Sequence, residues 1–332
     1  MTNTQSRPLI KGRNHLLIFF NLILIGIANN CCLINAQQTP QFSQYMVNPM
    51  VLNPAIAGAE RYFDATLSYR NQWSGFEGAP STGALTFNVP MPLIKGGKRE
   101  DLDQSHSGIG GYFYSDKAGP LRQSAFYASY AYHLKVSQDW YVSLGTFVGK
   151  TQFNFDNSEV VFVQNATDPM DQSFTASNFD ASLGLYAYSN AFFVGFAAHQ
   201  LFDNDISEAA FRTGKLNRNY NLLAGSRIAW NDQLQFVPSI LLKATTNTPI
   251  QWDLNAKFIY QQKMWAGISY RYEEAIYALA GISLWDHFSV GYSYDFPVSK
   301  LLGRQSGSHE IILSYRFPSA RGKLCSCPEY SL

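Results

Sequence analysis

From Tyr62 onward the chain is written in segments of about ten residues whose polarity alternates residue by residue, separated by turn-forming residues. Successive side chains of a strand point to opposite faces, so each such segment has two distinct sides. Ile250, Trp252, Leu254, Ala256, Phe258 and Tyr260 fall on one side, and Asp253, Asn255 and Lys257 on the other. Phe288, Val290, Tyr292, Tyr294 and Phe296 likewise oppose Ser289, Gly291, Ser293 and Asp295. A soluble β-sandwich alternates too, but its outer face should carry more Lys and Glu than these strands offer. Charged residues make up only 15% of the chain against roughly 25% in ordinary soluble domains, while aromatic residues reach 15%. Beyond residue 36 no apolar run approaches the ~18 residues of a membrane helix, and mean hydropathy is -0.15. Strands that meet lipid must pair every backbone group, which a closed barrel alone achieves. The expected fold is therefore all-β, a transmembrane antiparallel β-barrel of the outer membrane.

Candidate strands lie near residues 62–72, 81–90, 108–116, 122–135, 140–153, 178–188, 191–200, 216–230, 233–244, 250–260, 263–273, 276–285, 287–296 and 308–317. That makes about fourteen, an even number, as bacterial single-chain barrels require. Counted from the first strand, the even connectors are tight: Ser137-Gln138-Asp139, Ser189-Asn190, Asn231-Asp232, Gln261-Gln262 and Asp286. The odd ones include the long stretches 154–177, 201–215 and 297–307. Short turns face the periplasm in such barrels and long loops the outside, which predicts both termini on the periplasmic side. The polar stretch from Lys95 to Ser107 breaks the rule, being long where parity expects a tight turn.

Tryptophan placement is independent of that count. Trp140, Trp230, Trp265 and Trp285 stand beside the tight turns, whereas Trp73 and Trp252 fall at the opposite strand ends. Indole rings settle at membrane interfaces, so the six are expected to form two girdles. A preference of aromatics for strands would explain their presence but not the two levels.

The N-terminus reads as an export signal. Arg7, Lys11 and Arg13 precede an apolar stretch from Leu16 to Ala28, with Ala36 before Gln37 as the expected cleavage point. Residues 1–36 are then removed, 37–61 form a periplasmic or lumen-plugging segment, 62–317 the barrel and 318–332 a periplasmic tail. A short membrane anchor is the alternative for the leader, although Asn21 interrupts it. Cys31 and Cys32 lack the small-residue context of a lipoprotein site, and Cys325 and Cys327 are the cysteines left in the mature chain, so no disulfide framework supports the fold. A net charge of +1 offers no basic stripe for nucleic acid.

Ahead of the first strand stands Gln41-Phe42-Ser43-Gln44-Tyr45-Met46-Val47-Asn48-Pro49-Met50-Val51-Leu52-Asn53-Pro54-Ala55-Ile56-Ala57-Gly58, with two Asn-Pro pairs. This resembles the opening motif of the PorP/SprF family of Bacteroidetes outer-membrane proteins. Tyr69-Arg70-Asn71-Gln72-Trp73 with Gly78-Ala79-Pro80-Ser81-Thr82 is similar to that family's first hairpin, and Gly307-Ser308-His309-Glu310-Ile311 to its closing strand. The resemblance singles out Asn48, Pro49, Asn53, Pro54, Ala57, Gly58, Arg70, Trp73, Pro80, Gly307, His309 and Glu310 as structural or partner-binding positions. Each Asn-Pro pair argues against a continuous helix, because proline biases its predecessor toward extended backbone and lacks an amide donor. The segment's apolar residues, Phe42, Tyr45, Met46, Val47, Met50, Val51, Leu52 and Ile56, must be buried, and the barrel interior is the nearest place. It either enters the barrel mouth or merely leads the chain to strand one.

No catalytic, cofactor or metal constellation is legible. The histidines beyond the leader do not assemble into a set: His133 and His287 map to the short-turn end, His199 and His309 toward the other, and His106 to the polar connector. Gly-x-Ser-x-Gly and His-Glu-x-x-His motifs are absent from the sequence. Asp253, Asp295 and Glu310 read as lumen carboxylates, solvated or paired with Lys257 and Arg316. The chain should therefore be no enzyme and act through binding surfaces. The resemblance implies an association with type IX secretion, in which such barrels help secrete, tether or display a cognate large surface adhesin, serve gliding, or contact periplasmic secretion or motor components. A general porin or small-molecule channel is the alternative, and a structural anchor a third reading. The connectors 154–177 and 201–215 carry Phe155, Val160, Val161, Phe162, Val163, Phe174, Ile206 and Phe211, more apolar side chains than loops facing only water should expose.

Overall fold

The computed structural model describes residues 39–60, 62–94, 102–159, 173–204, 216–246, 248–285, 287–298 and 306–317. Residues 37–246 and 250–332 form one compact unit; 1–36 group with 247–249 in a second, of which Thr248 and Pro249 are described. The leader, the tail after Phe317 and most of the long loops lie outside the described residues.

Fifteen strand segments follow one another: β1 (Phe63–Asn71), β2 (Ser81–Pro90), β3 (His106–Ala118), β4 (Leu121–Lys135), β5 (Tyr141–Phe155), β6 (Phe174–Tyr188), β7 (Phe192–His199), β8 (Asn219–Ser226), β9 (Ile228–Ala229), β10 (Leu234–Thr245), β11 (Gln251–Tyr260), β12 (Met264–Arg271), β13 (Ala275–Leu284), β14 (Phe288–Pro297) and β15 (Ser308–Phe317). β8 and β9 are two parts of one stave. Gly225 faces Ser239 and Ile228 faces Phe236, an unchanged register across the gap. The interruption sits opposite Val237 and Pro238, where proline has no amide to give the ladder. Neighbouring staves pair antiparallel throughout, and β1 pairs with β15, so fourteen staves close into a barrel without a free edge.

Alternation decides the faces as the sequence indicates. Leu254 is 46% exposed on the outside of β11, whereas its neighbour Asn255 is 6% exposed toward the interior. An apolar outer wall on a closed sheet places this barrel in the outer membrane, the setting in which such sheets meet lipid. Among the described residues no helix is long and apolar enough to cross a membrane.

Most strand ends match the sequence reading within one or two residues; β6 starts four residues earlier than read and β8 three later. β5 runs to Phe155 and β6 starts at Phe174, so these two are strand residues whose rings stack 5.6 Å apart, not loop residues offered to a partner. Val160, Val161, Phe162, Val163, Ile206 and Phe211 lie outside the described residues. The anomalous polar connector is shorter than it read, because β3 begins at His106 and a short helix occupies Met91–Ile94. Its described end packs down on the barrel: Leu102 is buried, and Lys135 donates to the Asp103 carbonyl at 2.7 Å. The tight turn at Gln261 and Gln262 takes φ values of 49° and 58°, the left-handed pair that a two-residue hairpin requires even without glycine.

One girdle tryptophan is misassigned by sequence. Trp73, Trp140, Trp230 and Trp285 are exposed, and Trp252 stacks on Tyr272 at 4.9 Å on the outward face. Trp265 instead points inward and packs against the interior apolar cluster. Outward positions of β12 are Met264, Ala266 and Ile268, so parity leaves Trp265 with Gly267 and Ser269 on the lumen side.

Candidate functional site

The interior is occupied by the chain's own segment from Thr39 to Glu60. Two Asn-Pro pairs shape it. Each proline opens a one-turn 3-10 helix, Pro49–Val51 and Pro54–Ile56, where a missing amide costs nothing. Asn53 caps the second by accepting from the Ala55 amide at 2.9 Å. So short a helix cannot satisfy its own backbone, and the barrel wall supplies the partners.

The path begins at the long-loop end. Gln41 donates to Gln251 Oε1 at 2.9 Å, where β11 starts, and accepts from Arg271 at 2.9 Å, where β12 ends. The Ser43 and Gln44 amides donate to the Glu310 carboxylate at 2.6 and 3.1 Å. Farther down, Tyr45 meets Asn255, and Lys257 donates to the Met46 carbonyl at 3.1 Å. Asn48 then reaches Thr86 at 2.9 Å, and Asn53 the Leu185 carbonyl at 2.9 Å. At the short-turn end, Asn88 accepts from the Gly58 amide at 3.2 Å, just before β1 begins. Phe63 and Phe317 pair at the short-turn end, but Gln41 and Gly58 stand at opposite mouths. The reason is contact chemistry, since the cations and carboxylates that match Gln41 to Gln44 are all at the long-loop ends of their strands.

Two buried ion clusters anchor that upper part. Arg70, 1% exposed, pairs with Asp295 at 2.7 Å and Glu310 at 3.4 Å and also donates to Ser43. Arg271 pairs with Asp253 at 3.1 Å and Glu274 at 3.2 Å, and donates to the Phe42 carbonyl at 3.3 Å. The sequence reading has Asp253, Asp295 and Glu310 solvated or paired with Lys257 and Arg316. Lys257 lies lower and serves the Met46 carbonyl, while Arg316 lies over the Tyr62 ring at 4.8 Å. Arg271 was missed, although strand parity from Ser269 would have turned it inward.

Three histidines that looked scattered converge on the segment instead. His133 holds the Ala57 carbonyl at 2.9 Å, His106 the Gly58 carbonyl at 3.1 Å and His199 the Leu52 carbonyl at 2.9 Å. The rings of His106 and His133 stack at 4.8 Å. His309 faces outward, where Tyr292 approaches it at 2.7 Å. Among the described residues no three His, Cys, Asp or Glu side chains are grouped to hold a metal ion.

Mid-strand glycines admit the segment's backbone. A Cβ on Gly145 would stand 2.5 Å from Ala55 Cα, and one on Gly184 or Gly108 would collide with Asn53 or the Ala57 carbonyl. Gly58 itself adopts φ +79° and lies against Gly108. Phe42, Tyr45, Met46, Met50, Leu52 and Ile56 are buried in two apolar clusters with inward rings such as Tyr112, Phe147, Tyr186 and Tyr277, and Val47 and Val51 are half-buried. A residual cavity beside Met50 is lined by Asp64, Asn88, Lys257 and Trp265 among others.

The first-hairpin and closing-strand motifs meet above this lumen. Trp73, at φ 50°, donates its amide to Ser308 at 3.2 Å, and Ser74 donates to the carbonyl of Gly307, whose φ is +85°. Pro80 accepts from the Gln72 amide at 2.9 Å. Asn48, Pro49, Asn53, Pro54, Ala57, Gly58, Arg70 and Glu310 thereby belong to one assembly, the segment and its sockets. The family model of the type IX secretion system membrane protein PorP/SprF matches residues 34–315. The chain belongs to the PorP/SprF family. No curated protein sequence matches it significantly. Solved structures similar to this PorP/SprF barrel include the Pseudomonas putida toluene transporter TodX, 10% identical with a TM-score of 0.45 over 84% of this chain and 94% of that one. A Pseudomonas aeruginosa FadL homologue is 12% identical with a TM-score of 0.47, covering 84% of this chain and 95% of its own.

Proposed function

We propose that this PorP/SprF barrel is a plugged, non-conducting outer-membrane partner in type IX secretion, helping to secrete, tether or display one cognate large surface adhesin, including in gliding. The observation that supports it is the filled lumen: a segment with six buried apolar side chains and both of its mouths tied by buried polar contacts stands where a porin needs water. A barrel closed in this way works through the surfaces at its two ends. The long connectors 156–173 and 201–215 would meet the cargo outside, after removal of residues 1–36, and the tail 318–332 would suit periplasmic secretion or motor components. Deletion of the gene tests this. One large surface protein should be retained or shed while other cargo still exits; unchanged surface protein content would end the proposal. Replacement of 156–173 by a short Gly-Ser turn, in a barrel that still folds, locates the contact.

A further inference from the structure

The lumen segment has a direction. Its upstream end is held by Gln251 and Arg271, residues at the long-loop ends of β11 and β12, and Gln251 in turn donates to Glu274 in the connector between β12 and β13 at 2.7 Å. Four residues on, Tyr45 meets Asn255 at mid-height of β11, and Met46 accepts from Lys257 nearer the short turns. The downstream end is held by Asn88, His106 and His133, all near the short-turn ends of β2, β3 and β4. The polypeptide therefore traverses the barrel from one mouth to the other before β1 starts.

From this course we infer that the chain enters through the long-loop mouth, so that Thr39 and everything presented there shares a side of the membrane with the long loops. Thr39 then belongs to the loop face, on the same side as any partner of the loops. The position is chemically enforced. Gln41 offers one donor and one acceptor, and its sockets are an acceptor on Gln251 and a guanidinium on Arg271; the lower lumen matches main-chain carbonyls with His106, His133 and Lys257. Reversing the segment would bring carboxylates Asp295 and Glu310 against carbonyls of Ala57 and Gly58, acceptors against acceptors.

The inference rests on the closed-barrel fold but not on the secretion role or on which mouth faces outward. Cys31, Cys32, Cys325 and Cys327 are replaced by Ser in the full chain, and single cysteines are placed at Thr39→Cys, at Ser158→Cys in the long connector after β5, and at Gln138→Cys in a tight turn. A membrane-impermeant maleimide is added to intact cells and, separately, after lysis. Thr39→Cys and Ser158→Cys should label together in one condition and Gln138→Cys in the other. Labelling of Thr39→Cys in step with Gln138→Cys overturns the inference. If Thr39→Cys proves unreactive even after lysis, a Gly-Ser-Cys insertion between Gln38 and Thr39 gives the same reading with the same two outcomes. Labelling of Thr39→Cys and Ser158→Cys together, but only after lysis, keeps the threading and reverses the orientation.

Discussion

Removing the Arg70 side-chain charge by Arg70→Met tests the lumen assembly most directly. Among the described residues Arg70 is the one ion-pair partner of two carboxylates, Asp295 and Glu310, whose side chains are 4% and 1% exposed, and it also holds Ser43. Deleting one partner of such a cluster leaves uncompensated charge in a dry place and costs about 3 to 5 kcal/mol. Part of that is recoverable, because Glu310 keeps the amides of Ser43 and Gln44. The cost should fall on docking of the segment rather than on the wall, since β1 still pairs with β2 and β15 through its backbone. At about 1.4 kcal/mol per tenfold, the undocked population should rise by two to three orders of magnitude. The assay is planar-bilayer recording, in which wild type should be silent and Arg70→Met should flicker between closed and open levels, alongside urea unfolding in detergent. Adding Asp295→Asn and Glu310→Gln should recover most of the loss by removing the stranded charges. A silent Arg70→Met barrel as stable as wild type, or a triple variant no better than the single one, would refute the reasoning.

Deleting residues 39–58 should turn a silent barrel into a steady conductor, and continued silence in bilayers would mean that something else closes the lumen. Gly145→Val should destabilise the closed state by about 1 to 3 kcal/mol through overpacking against Ala55, read as the same flicker. Leu254→Arg should cost roughly 2 to 4 kcal/mol in folding titrations if it lies near the bilayer midplane. Asn255→Arg should not be the mild change that an open, watery lumen would allow, because Asn255 holds Tyr45 and Tyr277. Brominated lipids should quench Trp140, Trp230 and Trp285 but spare Trp265, read in single-tryptophan variants.

The wall of this barrel was legible because its rules are local. Alternation, turn residues and connector parity located the staves, and even the split at Pro238 leaves the count unchanged. What fills the wall was legible only as a need: eight apolar residues between Phe42 and Ile56 required burial, but nothing local states which strand receives each. The Arg70 cluster joins residues more than two hundred positions apart, and Arg271 with Gln41 likewise, so only closure of the sheet brings them together. Trp265 failed for a different reason. Nearness to a tight turn does not by itself put a side chain at the interface, and the parity of Met264, Ala266 and Ile268 assigns it inward. His106, His133 and His199 form no catalytic set because their partners are main-chain carbonyls, which sequence spacing does not reveal.

Threading gives the segment a mechanical polarity. Its downstream end continues into β1 at one mouth, and its upstream end emerges at the other, so tension applied from the long-loop side would peel the contacts one after another. Gln41 would release first, then Ser43 and Gln44, then Lys257, and the stacked His106 and His133 last. Tension from the opposite side would release them in the reverse order, beginning with Gly58 and Ala57. Twenty residues drawn out extend about 65 to 70 Å, against a wall roughly 25 Å tall, which would leave some 40 Å of tether beyond the mouth. The same stretch of chain that seals the barrel at rest is thus long enough, once pulled, to become a leash.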